Sequence, residues 1–231
     1  VTALEHGPIR TFKYRRGRVT LAQQHAIDTV GPVLGLGLGS GPIDPVALFG
    51  RAAPLAFEIG FGMGETTAAL AALQPELDVI AVDVHTPGAG ALLRALSAEG
   101  LTNVRVAVGD ALEVLRGMLP AASLDEVRLF FPDPWPKAKH FKRRLFNAGF
   151  AALAVSRLKP GGVVHVATDW GPYAEQVLEV IDAEPLLVND FGGFAPRPGH
   201  RPVTRFEQQG LAKGHDVFDI MAHRVRTLTV D

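Results

Sequence analysis

The chain has 231 residues, 47% of them hydrophobic, which is enough for one well-filled α/β domain without calling for a second. Its formal net charge of −1 excludes any case for nucleic-acid binding from bulk charge, so only clustered charge can make one. The absence of cysteine excludes a disulfide framework, a thiolate zinc site and a cysteine nucleophile; with no apolar run near the roughly 18 residues of a membrane span and no signal-type N-terminus, a cytoplasmic location is expected.

In chain order, Arg10, Lys13, Arg15, Arg16 and Arg18 surround only Phe12 and Tyr14, a composition that packs poorly and predicts a mobile basic arm over residues 1–29. Glycine and proline dominate from Val30 to Pro45, so residues 30–54 read as a linker and lead-in in which neither helix nor strand persists. From residue 55 to 231 short apolar runs alternate with helix-like segments, the signature of a doubly wound, mostly parallel α/β sheet. The predicted strands are Leu55–Ile59, Val79–Val82, Val104–Val108, Glu126–Phe131 and Val163–Ala167, with a last one at Val217–Ala222. Helices are predicted over Glu65–Leu73, Ala89–Glu99, Leu145–Leu158 and Tyr173–Asp182. After Glu184 the pattern is less regular, with Pro196, Pro198 and Pro202 in an Arg- and Gly-rich loop.

The segment Glu58-Ile59-Gly60-Phe61-Gly62-Met63-Gly64 leaves the first strand for a helix, where open α/β sheets bind ligands. Side chains at Gly60 or Gly62 would occupy the ligand's space. The spacing G-x-G-x-G differs from the dinucleotide fingerprint, and the carboxylate of Glu58 would repel a pyrophosphate while suiting the ammonium and sulfonium of S-adenosylmethionine. Asp83 ends the second strand, where an acid accepts from ribose hydroxyls, and Asp110 ends the third, placed for an adenine amine. The plain structural alternatives are a solvated strand-end acid for Glu58 and a helix N-cap for Asp110. His85 reads as a packed or loop histidine.

The fourth strand stops at Pro132-Asp133-Pro134-Trp135, where two prolines fix the backbone around a carboxylate beside an indole, a pairing suited to a purine. A structural turn with Trp135 in the core is the alternative. Lys137, Lys139, His140, Lys142, Arg143 and Arg144 follow without an intervening acid, at the start of the next predicted helix, so phosphates are the natural partner. Ala167-Thr168-Asp169-Trp170 and Thr204-Arg205-Phe206-Glu207 supply candidate substrate contacts, against an N-cap role for Asp169 and a surface ion pair between Arg205 and Glu207.

Taken together these segments, in identity and order, resemble the bacterial tRNA (guanine-N7-)-methyltransferase family over nearly the whole chain. The resemblance implies a Rossmann-like methyltransferase fold with an antiparallel C-terminal strand, S-adenosylmethionine as cofactor, tRNA as partner and no metal. It further implies that Glu58, Gly60, Gly62, Asp83, Asp110 and Asp133 hold the cofactor, Asp133 being also catalytic. Lys137, Asp169 and Thr204 to Glu207 would contact substrate, and Lys139, His140, Lys142, Arg143 and Arg144 would touch RNA. Asp83 departs from members that carry Glu there, a shorter reach to the ribose. Rival readings are a methyltransferase for amino groups, a non-catalytic RNA-binding protein on a vestigial cofactor fold, and a nicotinamide dehydrogenase. The oligomeric state is left open.

Overall fold

The computed structural model describes residues 11–12, 17–39, 41–203, 207–208, 210, 214 and 216–226. Its sheet has the order β3-β2-β1-β4-β5-β7-β6. β1 (Leu55–Ile59), β2 (Asp78–Asp83), β3 (Val104–Val108), β4 (Leu124–Phe130) and β5 (Leu158–Thr168) are mutually parallel. β7 (Phe218–Arg224) runs antiparallel between β5 and the short edge strand β6 (Leu187–Asn189). The last predicted strand therefore lies inside the sheet, and β6, too short to show a pattern, forms the edge.

The helices are α1 (Leu21–Thr29), α2 (Gly31–Leu34), α3 (Pro45–Phe49), α4 (Glu65–Leu73), α5 (Thr86–Ala98), α6 (Ala111–Gly117), α7 (Ala148–Arg157) and α8 (Gly171–Ala183) among the described residues. The central strands are buried on both faces, which is why they read as continuous apolar runs. Phe57, Ile59, Ile80 and Val82 point to the layer of α6, α7 and α8, while Ala56, Val79 and Ala81 meet α1, α4 and α5. On that second face the side chains are small and the helices approach closely. Gly90 lets α5 approach α1, since an added Cβ would meet Gln23 O at 2.8 Å, and Gly88 gives room to the loop after β1, since its Cβ would meet Gly62 O at 1.8 Å.

Three boundaries differ from the sequence reading for physical reasons. α5 begins at Thr86 because Pro87 is tolerated in a first turn. α7 begins at Ala148 because the Asn147 side chain accepts from Phe150 N, leaving Leu145 and Phe146 buried ahead of the helix. The Gly/Pro-rich stretch contains α2, and its Leu36 N donates to Val106 O at 2.8 Å, so it lies along the free edge of β3 instead of hanging as a linker. The supposed arm is likewise part helix: Thr20 and Gln23 form a reciprocal capping box that starts α1, which packs on α5. No described helix is long and apolar enough to cross a membrane.

Candidate active site

A cleft of about 630 Å³ opens at the C-terminal ends of β1 to β5. The glycine loop forms one wall. Gly60 N donates to Val82 O and Gly62 N to Asp83 Oδ2 at 2.7 Å, so the loop is stitched to the end of β2. Gly60 and Gly62 both take positive φ, and nothing lies within 4 Å of a Cβ placed on either. That is the open face a bound ligand would fill. α4 follows with no side-chain cap, so its first N–H groups, near Glu65 and Thr66 of the cleft wall, remain for an anionic group such as a carboxylate.

Asp83, Asp110, Asp133 and Asp169 all line this cleft, and among its described lining residues there is no Lys or Arg. Asp83 also accepts from His85 N through Oδ1, so it braces the loop as well as facing the cavity. Asp110 caps α6, its Oδ1 accepting from Leu112 N at 2.8 Å; the cap and the place in the cleft wall coexist. Asp169 is not the cap of α8, whose N-cap is Trp170.

Glu58 departs from expectation. It is buried beneath the loop and is absent from the described cleft wall, with Oε1 accepting from Thr67 Oγ1 at 2.8 Å and Oε2 without a hydrogen-bond partner among the described residues. Burial raises its carboxyl above the ordinary range, against the lowering pull of Arg128 and the Thr67 hydroxyl. Arg128, its register partner on β4, bonds to Glu126 and Gln74; burial works against its charge, but Glu126 and Glu58 outweigh that and raise its pKa. Glu58 is thus neither a solvated strand-end acid nor a direct wall residue.

Asp133 stands between Phe131 (φ 50°) and Trp135 (φ 43°), two non-glycine residues in the left-handed region. Each such residue costs about 1–2 kcal/mol, and a β-type conformation is the one favoured before Pro132, so the surroundings over-determine this turn. Trp135 does not offer its indole to the cleft: it is 4% exposed, its Nε1 donates to Thr11 O, and the Arg143 guanidinium lies 4.3 Å from the ring centroid. The aromatic groups in the wall are instead Phe12, Phe61, Phe130, Phe131 and Trp170, the last 39% exposed. Trp170 was within reach of sequence reasoning through its place beside Asp169; Phe12 and His85, also in the wall, carried no such signal.

The basic run forms a 3₁₀ helix, Ala138–Arg143, before α7. Lys137, Lys139 and Lys142 are exposed, while His140 and Arg143 are half-buried against Trp135. Arg144 is a correction to the RNA-binding set: at 2% exposure it donates to Pro134 O and Gln176 Oε1 and lies over the Phe141 and Tyr173 rings. Its guanidinium holds the run onto the domain and cannot reach a phosphate. Thr204, Arg205 and Phe206 lie outside the described residues. Glu207 is buried and bonded to Arg201 at 2.8 and 3.1 Å, with Arg197 at 3.1 Å, so it is an internal anion and not a solvated half of a surface pair.

A protein-family model described as "Putative methyltransferase" matches residues 52–220. The chain is 54% identical over 220 residues to a tRNA (guanine-N(7)-)-methyltransferase of Streptomyces avermitilis, covering 94% of this chain and 76% of that protein. It is 53% identical over 216 residues to the protein of that name from Nitrosospira multiformis, covering 94% of each. Among solved structures, a 16S rRNA (adenine(1408)-N(1))-methyltransferase of Catenulisporales acidiphilia is similar with TM-score 0.53 and 19% identity, over 82% of this chain and 95% of that one, a likeness of fold.

Proposed function

Because the chain belongs to the tRNA (guanine-N7-)-methyltransferase family, we propose that it transfers a methyl group from S-adenosylmethionine to N7 of a guanine in tRNA, in the cytoplasm. The observation that carries this reading is the acidic cleft: Asp83, Asp110, Asp133 and Asp169 all line it at the strand ends, with no described Lys or Arg in its lining. Such a wall suits an ammonium, a sulfonium, ribose hydroxyls and an adenine amine, and disfavours a pyrophosphate. The glycine face open beside Gly60 and Gly62, the uncapped start of α4 and the unpartnered Oε2 of Glu58 below the loop fit the same cofactor. The wrong glycine spacing and these acids weigh against the dehydrogenase.

S-adenosylmethionine supplies an electrophilic methyl on a positively charged sulfur. The chain's residues do the rest. Guanine N7 carries an in-plane lone pair, so no general base is needed before attack. Asp133, held by its two flanking prolines, stabilises the positive charge that develops on the purine. Phe131 and Trp170, both in the cleft wall, give flat surfaces that position the base. Lys137, Lys139 and Lys142, exposed beside the cleft residues Pro132 to Pro134, take the RNA backbone. The variable-loop guanine is the target that the family resemblance implies.

The test is incubation of purified protein with labelled S-adenosylmethionine and unmodified total tRNA, then nuclease digestion and mass spectrometry of the methylated nucleoside. We expect 7-methylguanosine, mapped to the variable loop. A methyl on an exocyclic amine would overturn the reading in favour of the amino-group rival, and the absence of transfer with retained RNA binding would favour the non-catalytic one.

A further inference from the structure

Where β5 ends beside the start of β7, aromatic rings carry the cleft out onto the open surface. Trp170, in the cleft wall, is followed by Gly171, and a Cβ placed on Gly171 would lie 3.8 Å from two ring carbons of Phe218. Phe218 is paired in register with Thr168, the last residue of β5, and its ring centroid stands 4.7 Å from that of Phe194, with the two planes 52° apart. Phe194 is 40% exposed, and its neighbour Ala195 pairs with Asp219 of β7, so the ring is carried on backbone tied to the sheet. The turn ahead of it is closed by one side chain: Asn189 Oδ1 accepts from Phe191 N, and Asn189 Nδ2 donates to Gly193 O. Trp170, Phe218 and Phe194 thus make a ledge at the C-terminal ends of the parallel strands that starts in the cleft and finishes in solvent.

Rings left partly in water contribute less to folding than buried ones, and neighbouring exposed apolar groups mark a contact surface. The charges around the ledge decide what kind of contact. Asp169 precedes Trp170, and the exposed Asp216 stands two positions before Phe218. Arg197, the first cation after Phe194, is engaged by Glu207 at 3.1 Å and by Arg201 O. A phosphate would be repelled here, whereas the face of an unpaired nucleobase carries no net charge and stacks on an aromatic ring whatever its sequence. A guanine seated in the cleft is covalently joined to its neighbours, which must leave over the rim. Trp170 is a rim residue from which exposed rings continue.

We propose that Phe194, backed by Phe218, is a stacking site for a nucleobase next to the target guanine of the tRNA. This inference rests on the reading that the cleft methylates tRNA. The site holds the strand that emerges from the cleft and so keeps the target base in place. It adds affinity without neutralising a phosphate, so its contribution is insensitive to salt, unlike that of Lys139 and Lys142. Phe194 touches neither the cofactor nor the methylated base.

The experiment measures steady-state methylation by the parent, Phe194→Leu and Phe194→Trp on unmodified tRNA and on two abasic tRNAs, each lacking one of the two bases that flank the methylated guanine. S-adenosylmethionine affinity by calorimetry, a thermal melt and mass by light scattering accompany each protein. Leucine keeps apolar bulk without a π-face, so Phe194→Leu should raise the KM for tRNA about tenfold, with kcat and cofactor affinity within about twofold of the parent and the salt slope unchanged. Phe194→Trp should restore the KM to within about twofold. In the parent one abasic tRNA should show a similar rise, and in Phe194→Leu the same abasic tRNA should add less than about twofold, because ring and base form one contact. A parent-like KM in Phe194→Leu, or abasic and Leu effects that simply multiply, overturns the proposal and leaves the methylation reading intact. A dimeric parent that Phe194→Leu turns into a monomer with unchanged KM gives the ledge to a second copy of the chain and overturns it as well. Loss of fold or of cofactor affinity in both variants assigns Phe194 a purely structural role, with the same result. A parent that forms no 7-methylguanosine overturns the reading of the cleft, and the proposal with it.

Discussion

Asp133 and Glu58 are both acids of the predicted site, yet the chain handles them in opposite ways. Asp133 is presented at a strand end by two flanking prolines and two left-handed residues. Asp133→Asn keeps that shape and removes the charge, so turnover in single-turnover methylation should fall about 10²-fold or more, the scale for one pre-organised electrostatic group, while tRNA affinity stays within about twofold. Unimpaired turnover would remove Asp133 from the chemistry. Glu58 is sequestered under the loop with a raised pKa. A carboxyl raised above its unfolded value of 4.5 contributes stability below that pH and loses it as pH rises through the folded pKa. At neutral pH its ionised form therefore opposes folding of the cofactor-free protein. Glu58→Gln should raise the Tm at pH 7 to 8, flatten the fall of Tm with rising pH, and weaken S-adenosylmethionine binding. Scanning fluorimetry across pH with calorimetry of binding checks this, and an unchanged Tm would refute it.

The 3₁₀ helix from Ala138 to Arg143 shows how far an element can be read from its residues. Its charge run is plain in the sequence, and its exposed lysines stand where RNA can reach them. Lys139→Glu combined with Lys142→Glu should weaken tRNA binding most at low salt and reduce the slope of log K against log salt by about 0.7–0.9 for each phosphate no longer neutralised. A parent-like slope in a filter-binding titration would mean that the RNA passes elsewhere. What the run does not reveal is that its last member, Arg144, is internal. That is settled by Pro134 O and Gln176, the latter far along the chain, so no local pattern encodes it. α1 is the contrary case: Thr20 and Gln23 spell a capping box that is legible, and the basic composition around it masks the signal. Trp135 falls between, since a core indole is one of the two readings its sequence allows, but its partner, Thr11 O, is an arm residue with no sequence cue.

At the scale of the whole molecule, the buried Asp219 of β7 bonds His165 of β5 and Arg201, tying the two strands together by charge. Asp219 has a depressed pKa, so it contributes stability above its ordinary 3.8 that is lost as pH falls through the lower folded value. Asp219→Asn should destabilise the protein near neutrality, by leaving Arg201 and His165 short of a partner, and should lessen the further loss of stability below about pH 4. Urea melts from pH 7 to pH 3 measure both, and an unaltered acid limb would show that the network's charge is not what acid removes. The alternation of apolar runs and helical segments determined by itself that the chain is a doubly wound parallel α/β domain, because strands buried on both faces must be predominantly apolar. It also determined that acids sit at successive strand ends, since turn and proline chemistry is local. Only the tertiary structure decided that β7 lies inside the sheet with β6 at its edge, that the glycine-rich stretch covers β3, and that Glu58, Arg144 and Glu207 are internal. Burial of a charge depends on partners brought from distant parts of the chain, and no window of sequence contains them.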